Sequence, residues 1–193
     1  MTRIIAICGP KRSGKDTIAN YIVAKYGYKH FKIASKLKDV CGLLFGFTQE
    51  QMEDDTKDII DTKYNITPRK AMQFVGTEMM QYKIQELLPN VKRNFWINLL
   101  MQEIQKESHV VISDMRFLHE YETMCKESDL HVIQVSKPNS GSDSHLDLHP
   151  SEVEWRKIPT TTIIENNKTI EDLYEQVDRA CYLRLIKVNN PRS

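Results

Sequence analysis

Arg3-Ile4-Ile5-Ala6-Ile7-Cys8 runs straight into Gly9-Pro10-Lys11-Arg12-Ser13-Gly14-Lys15-Asp16-Thr17. The first six residues are rich in isoleucine and show no polar alternation, which predicts a short strand buried on both faces. From Lys15 onward the apolar residues Ile18, Ala19, Ile22, Val23 and Tyr26 recur at helical spacing, and Gly27 stands where a C-cap glycine belongs. The loop between them matches G-x-x-x-x-G-K-[ST] except at its last position. A strand before and a helix after are the context in which that pattern binds phosphate. The same flanks disfavour the competing reading, an ordinary glycine-rich turn. Backbone N–H groups of the loop and the helix N-terminus would hold phosphate oxygens, and Gly9 and Gly14 allow close approach. Lys15 would neutralise the β- and γ-phosphates. Asp16 replaces the Ser or Thr whose hydroxyl usually ligates Mg²⁺, and as a hard charged oxygen ligand it can act directly or through a water. Thr17 is expected to reach the α-phosphate.

Outward from this unit, strands and helices alternate. Strands are predicted over His30–Ala34, His109–Ser113, Leu130–Val135 and Thr160–Ile164. Helices are predicted over Lys36–Phe45, with Val40, Leu43 and Leu44 on one side, and over Phe95–Glu107, Leu118–Lys126 and Thr169–Leu183. Thr67-Pro68 is a helix start, with a bend expected at Gly76 and a stop at Pro89. Glu50–Asp61 carries six acids and one lysine and reads as a solvated face or loop. Residues 136–150 are rich in Ser, Gly, Pro and Asp and read as a mobile loop. The pattern is α/β with a mostly parallel sheet.

Two further segments carry chemistry. In Val110-Val111-Ile112-Ser113-Asp114-Met115-Arg116 an acid ends a central strand, where ligands collect in open α/β sheets. Asp114 could orient Mg²⁺ or its waters, and Arg116 could clamp a phosphate bidentately. In Thr67–Glu78, Arg69, Gln73 and Gly76 fall on one helix face, which suits a phosphate and a base edge. Other signals read as structural. His145 and His149 with Asp143 and Asp147 lie in an unstructured-looking segment, so a metal site is not expected. Met72, Met79 and Met80 read as core, and Trp96 and Trp155 as packing anchors, Trp96 also bordering a nucleotide pocket.

The chain has 193 residues, with 27 Lys+Arg against 26 Asp+Glu and 40% hydrophobic residues. That suits one domain with a packed core and argues against a nucleic-acid binder, which carries a basic excess. The longest apolar run is about five residues, Ile4 to Cys8, so neither a membrane span nor a signal peptide is expected. The cysteines at 8, 41, 125 and 181 are widely spaced and read as reduced thiols of a cytoplasmic protein.

Taken together, these segments resemble the deoxynucleoside monophosphate kinases of phages and large DNA viruses. The resemblance rests on G-P-K-R-S-G-K-D-T at 9–17, A-S-K-L-K-D at 34–39, L-F-G at 44–46 and T-P-R-K-A-M-Q-F-V-G-T-E at 67–78. F-W at 95–96, I-S-D-M-R-F at 112–117, D-S-H at 143–145 and I-I-E-N at 163–166 complete it. Two positions depart from the family's habit: Asn94 stands where an acid often precedes the aromatic pair, and Gln81 where an arginine often follows G-T-E.

The resemblance implies a P-loop NTPase fold of the nucleotide-kinase kind: a parallel sheet flanked by helices, with a helical substrate-binding insertion and a lid. On that basis residues 1–193 form one domain, with a core over 1–35, 101–136 and 159–188, the insertion at about 36–100 and the lid at about 137–158. The implied reaction moves the γ-phosphoryl group of ATP to a deoxynucleoside monophosphate, with Mg²⁺. Catalytic roles fall to Lys15, Asp16, Asp114 and Arg116, the two aspartates orienting the metal. ATP is held by Gly9, Pro10, Lys11, Arg12, Ser13, Gly14, Lys15, Asp16 and Thr17, with Arg156 from the lid and Asn166 beside the adenine. The acceptor falls to Lys38, Arg69, Gln73, Gly76, Thr77, Trp96, Asp114, Arg116 and Phe117. The partners implied are these small molecules, with a homodimer allowed and neither nucleic acid nor membrane. Three alternatives stand beside this reading. A GTPase switch would need N-K-x-D, and the nearest string, Asn167-Lys168-Thr169-Ile170, lacks the Asp. A phosphomevalonate kinase of the animal type and a non-catalytic nucleotide-binding replication protein are the others.

Overall fold

The computed structural model describes residues 1–53, 55–138 and 149–189, with side chains described up to residue 182. The chain forms two compact units, Met1–Phe31 joined with Ile104–Ser193, and Lys32–Glu103. The first unit is built on a parallel sheet of β1 (Arg3–Cys8), β2 (Lys29–Phe31), β3 (His109–Ile112), β4 (Asp129–Ser136) and β5 (Thr162–Glu165). The strand order is β2-β3-β1-β4-β5. β1 is central, with Arg3 registered against His109 of β3 on one side and Asp129 of β4 on the other. Neighbours on both sides and helices on both faces leave Ile4–Cys8 buried throughout, so the run shows no alternation.

Parallel strands need crossover connections, and helices supply them. In this unit they are α1 (Lys15–Tyr26), α5 (Leu118–Glu127) and the short α6 (Pro150–Val153), and α7 (Ile170–Asn189) follows the last strand. Ile18, Ala19 and Ile22 of α1 and Leu173, Val177 and Ala180 of α7 pack with Ile5, Ile7, Val111, Ile133, Val135 and Ile164 of the sheet. Each large aliphatic side chain buried here contributes roughly 1.5–3 kcal/mol. Gly27 ends α1 at φ 70°, its N–H donating to Val23 O at 3.1 Å. Thr169 starts α7, its Oγ1 accepting from Asp172 N at 3.3 Å.

In the second unit α2 (Ser35–Phe45) packs with α3 (Pro68–Gln73) around Cys41, Phe47, Met52, Ala71 and Val75. Thr67 caps α3 through Lys70 N at 3.2 Å, with Pro68 at the first helical position. α4 (Phe95–Ile104) leads back toward β3. The acidic segment forms two short 3-10 turns, Glu50–Met52 and Thr56–Asp58.

Several sequence expectations need correction. The buried seam of α2 is Leu37, Val40, Cys41 and Phe45, whereas Leu43 is 88% exposed and Leu44 is also exposed. Gly76 does not interrupt the helical run. The chain continues from α3 into a π-helix, Phe74–Tyr82, and a 3-10 turn, Lys83–Glu86. A Cβ at Gly76 would come within 2.7 Å of Leu37 Cδ2, so the glycine serves close helix packing. Met72 and Met80 join the core, but Met79 is exposed. The helix begun at Phe95 ends at Ile104, and strand ends shift by one to three residues. Asp143, His145 and Asp147 lie outside the described residues. His149 instead caps α6, its Nδ1 accepting from Ser151 N at 3.2 Å. Cys8, Cys41 and Cys181 are buried and Cys125 is exposed, and none of the four is in a disulfide. Among the described residues no helix is long and apolar enough to cross a membrane.

Candidate functional site

The loop after β1 is shaped by its backbone. Gly9 lies at φ 143°, Arg12 at φ 60° and Gly14 at φ 96°. A Cβ on Gly9 would stand 2.6 Å from Val135 O, and one on Gly14 2.5 Å from Asn166 Nδ2. Both positions therefore exclude a side chain by conformation and by contact, which leaves the loop's amides open to a ligand. Lys15 Nζ folds back onto the loop, donating to Gly9 O at 3.0 Å and Pro10 O at 2.6 Å. Burial lowers the Lys15 amine from its usual 10.5 to about 8, and Arg116 pushes the same way. The Asp16 and Glu152 carboxylates oppose this shift. Ser13 is fully buried, and its Oγ has no hydrogen-bond partner among the described residues. A buried hydroxyl without a partner costs roughly 1–3 kcal/mol, so the loop is incomplete without a ligand oxygen.

Asp16 opens α1. The side chain that meets it is Ser113, which follows β3: Ser113 Oγ donates to Asp16 Oδ1 at 2.6 Å. His30 of β2 lies 2.8 Å from Ser113 Oγ through Nε2. With the hydroxyl proton directed at Asp16, Nε2 is the donor to Ser113, which fixes a ring proton on that nitrogen. The usual pairing of a loop hydroxyl with a strand-end carboxylate is thus inverted, carboxylate on the helix and hydroxyl after the strand. Asn166 Nδ2 donates to Ser13 O at 2.9 Å, and its own N–H donates to Ser136 O at 2.7 Å, so it braces the loop.

The turn Asp114–Phe117 is pinned by Glu120 of α5, whose Oε2 accepts from Arg116 N at 2.7 Å and Phe117 N at 3.0 Å. Burial pushes the Glu120 carboxyl up to about 8, Asp114 adding to it, while the two backbone donors and Arg116 oppose it. Arg116 Nη1 pairs with Glu152 Oε1 at 2.6 Å and lies 3.4 Å from Ser151 O. Phe117 is buried and stacks on His119. Arg156 covers the Trp155 ring at 4.9 Å.

In the second unit Asp58 meets Arg69 edge-on: Nε bonds Oδ1, and Nη2 bonds Oδ2 at 3.1 Å. Lys38 pairs with Glu53. Gln73 Nε2 is buried with no hydrogen-bond partner among the described residues. Thr77 is buried, and Trp96 Nε1 donates to Gly76 O at 3.0 Å, so both act from behind the surface. Gln81 is buried and accepts Arg93 Nε at 3.1 Å and Nη2 at 2.9 Å. The first unit thus gathers Gly9–Asp16, Ser113, Asn166 and the pinned Asp114–Phe117 turn. The second carries Lys38, Arg69 and Gln73. Among the described residues no group of three His, Cys, Asp or Glu side chains gathers to hold a metal by itself. Sequence reasoning missed His30, Ser113, Glu120, Glu152, Glu53 and Asp58. Only Glu120, three residues after Phe117 at capping-box spacing, had a local signal.

A family model described as deoxynucleotide monophosphate kinase matches residues 3–65 and 43–177. A protein of Acanthamoeba polyphaga mimivirus named "Putative deoxynucleotide monophosphate kinase" is 35% identical over 187 residues, covering 90% of this chain and 93% of that protein. Among solved structures, shikimate kinase from Aquifex aeolicus vf5 superposes with a TM-score of 0.55 at 11% identity, over 94% of this chain and 98% of that one. A gluconokinase from Sinorhizobium meliloti 1021 gives a TM-score of 0.51 at 11% identity, over 96% and 94%. At such identities the likeness to the solved structures is one of fold.

Proposed function

The chain belongs to the deoxynucleotide monophosphate kinase family, and from that premise we propose that it transfers the γ-phosphoryl group of ATP to the phosphate of a deoxynucleoside monophosphate. The observation that carries this reading is the loop at 9–17. Two glycines closed to side chains, a buried unpartnered Ser13 hydroxyl and a folded-back Lys15 together describe a cradle for phosphate oxygens.

The acceptor oxygen belongs to a phosphate monoester whose second pKa is about 6, so it is already ionised at neutral pH and needs no strong base. Catalysis then rests on alignment and charge stabilisation. Lys15 exchanges its contacts with Gly9 O and Pro10 O for the β- and γ-phosphate oxygens. Ser13 Oγ and the loop amides hold the same group, Thr17 takes the α-phosphate, and Lys11, Arg12 and Arg156 flank the donor. Asn166 fixes the loop and borders the donor nucleotide. Arg69 and Lys38 take the acceptor phosphate, and Gln73, whose Nε2 is buried without a partner among the described residues, reads the base. Gly76, Thr77 and Trp96 shape the acceptor pocket by packing.

Asp16 suits a magnesium ion: it is an exposed hard-oxygen donor held by Ser113 at the start of α1. Asp114 is the second carboxylate we assign to the ion or its waters. A magnesium that keeps waters and phosphate oxygens as its other ligands needs only one or two protein carboxylates. When bound, it supplies charge neutralisation on the β- and γ-phosphates. The test is ADP formation from ATP in the presence of each deoxynucleoside monophosphate, each ribonucleoside monophosphate and phosphomevalonate in turn. Turnover confined to nucleoside monophosphates supports the reading. Turnover with phosphomevalonate alone, or ATP binding with no acceptor-dependent turnover, overturns it.

A further inference from the structure

The acid-rich segment 50–61 contains more than a solvated face needs, and two of its members are spent on cations. Asp58 occupies the Nε/Nη2 edge of Arg69 with both of its oxygens, and Glu53 pairs with Lys38. In each pair the cation is the buried member: the side chains are 16% exposed for Arg69 against 41% for Asp58, and 14% for Lys38 against 47% for Glu53. The carboxylates therefore sit on the water side of the cations, where an incoming anion arrives. Glu53 follows the 3-10 turn Glu50–Met52 and Asp58 ends the turn Thr56–Asp58; Thr56 ties the two together, its Oγ1 donating to Glu53 O at 2.6 Å and also to Glu50 O. Lys15 of the phosphate loop is held differently, by the neutral carbonyls of Gly9 and Pro10.

We propose that Asp58 and Glu53 are internal counter-ions that hold the acceptor site against weakly charged anions, so that only a doubly charged phosphate monoester displaces them. The inference rests on the assignment of Arg69 and Lys38 to the acceptor phosphate. A carboxylate and a phosphate use the same bidentate geometry on a guanidinium edge, so they compete for it. With both carboxylates in place the two cations carry no net charge, and a singly charged ligand gains no more than the carboxylate it displaces. A dianion carries twice the charge of the carboxylate it displaces, and the half-exposed carboxylates regain water as they leave. Asp58 and Glu53 thereby become determinants of ligand charge while touching no part of the base or sugar.

The experiment measures binding without ATP, by calorimetric titration of the wild type, Asp58→Asn, Glu53→Gln and Arg69→Lys. The probes are the deoxynucleoside monophosphate turned over above, its phosphate methyl ester, whose phosphate has a single charge at neutral pH, and inorganic phosphate. Thermal melts establish that each variant is folded. The expected result is that Asp58→Asn and Glu53→Gln bind the monoester about fivefold tighter. The methyl ester should gain by more than that, so the preference for the dianion shrinks. Arg69→Lys should weaken the monoester. If Asp58→Asn weakens the monoester in parallel with Arg69→Lys, Asp58 merely positions the arginine and the proposal is overturned. If neither Arg69→Lys nor Asp58→Asn changes affinity, the acceptor phosphate lies elsewhere, and the assignment beneath the proposal fails with it.

Discussion

One ammonium group and one hydroxyl carry the chemistry of the phosphate loop, and each leads to a measurement. Burial lowers the Lys15 amine to about 8, so in the free protein its positive charge is lost as pH rises through that value. ATP affinity of the free protein should fall over the same range, read by titration between about pH 7 and pH 9.5. Stability should move the other way. The folded state binds fewer protons than the unfolded chain between about 8 and 10.5, so this lysine favours folding more as pH rises through that window. Opposite trends in ATP affinity and melting temperature identify Lys15 as the group responsible; parallel trends exclude it. Ser13 supplies the second test. Its hydroxyl is buried without a partner, so Ser13→Ala should melt no lower than the wild type. ATP affinity in that variant should fall by roughly 0.5–1.5 kcal/mol, the worth of one hydrogen bond. A lowered melting temperature with unchanged ATP affinity would return Ser13 to a structural role.

Among the elements, α5 shows how a helix start fixes a functional turn. Glu120 holds the Arg116 and Phe117 amides while its own carboxyl is pushed up to about 8 by burial. A raised folded-state value means the folded protein binds more protons than the unfolded chain from about 4.5 to 8, so this stabilisation is lost as pH rises through that window. Glu120→Gln keeps an acceptor oxygen and removes the titration. Its melting temperature should vary less with pH across that window than the wild type's, and an unchanged profile would refute the assignment. The elements themselves were largely legible. β1, α1 with Gly27, and the Thr67-Pro68 start of α3 follow from periodicity and capping chemistry, which act over a few residues. α2 was placed correctly and turned wrongly, because Leu37, Val40, Leu43, Leu44 and Phe45 offer two apolar seams. Only packing against Met52, Ala71 and Val75 chooses between them. Gly76 reads as a bend from composition alone, since nothing in the sequence shows that Leu37 must reach within 2.7 Å of where its Cβ would be.

Across the whole molecule, what the sequence revealed of the site follows contour length. The loop at 9–17 is contiguous, so its chemistry is written in one motif. The His30–Ser113–Asp16 chain joins three segments brought together by adjacent strands β2, β3 and β1, and 83 residues separate His30 from Ser113. Such pairings are set by strand order and leave no local trace. The carboxylates on Arg69, Lys38 and Arg116 were hidden for the same reason, since each lies in a different segment from the cation it meets. The family assignment survives these omissions because it rests on ordered motifs along most of the chain. The most direct test of the whole account is ³¹P NMR of ATP mixed with each deoxynucleoside monophosphate and magnesium, with wild-type protein and with folded Lys15→Ala. With wild-type protein and at least one acceptor, the monoester resonance should give way to the α- and β-phosphates of a deoxynucleoside diphosphate, with ADP forming in equal amount, and Lys15→Ala should leave the spectrum unchanged. Release of inorganic phosphate in place of the diphosphate, or equal diphosphate formation by Lys15→Ala, would contradict it.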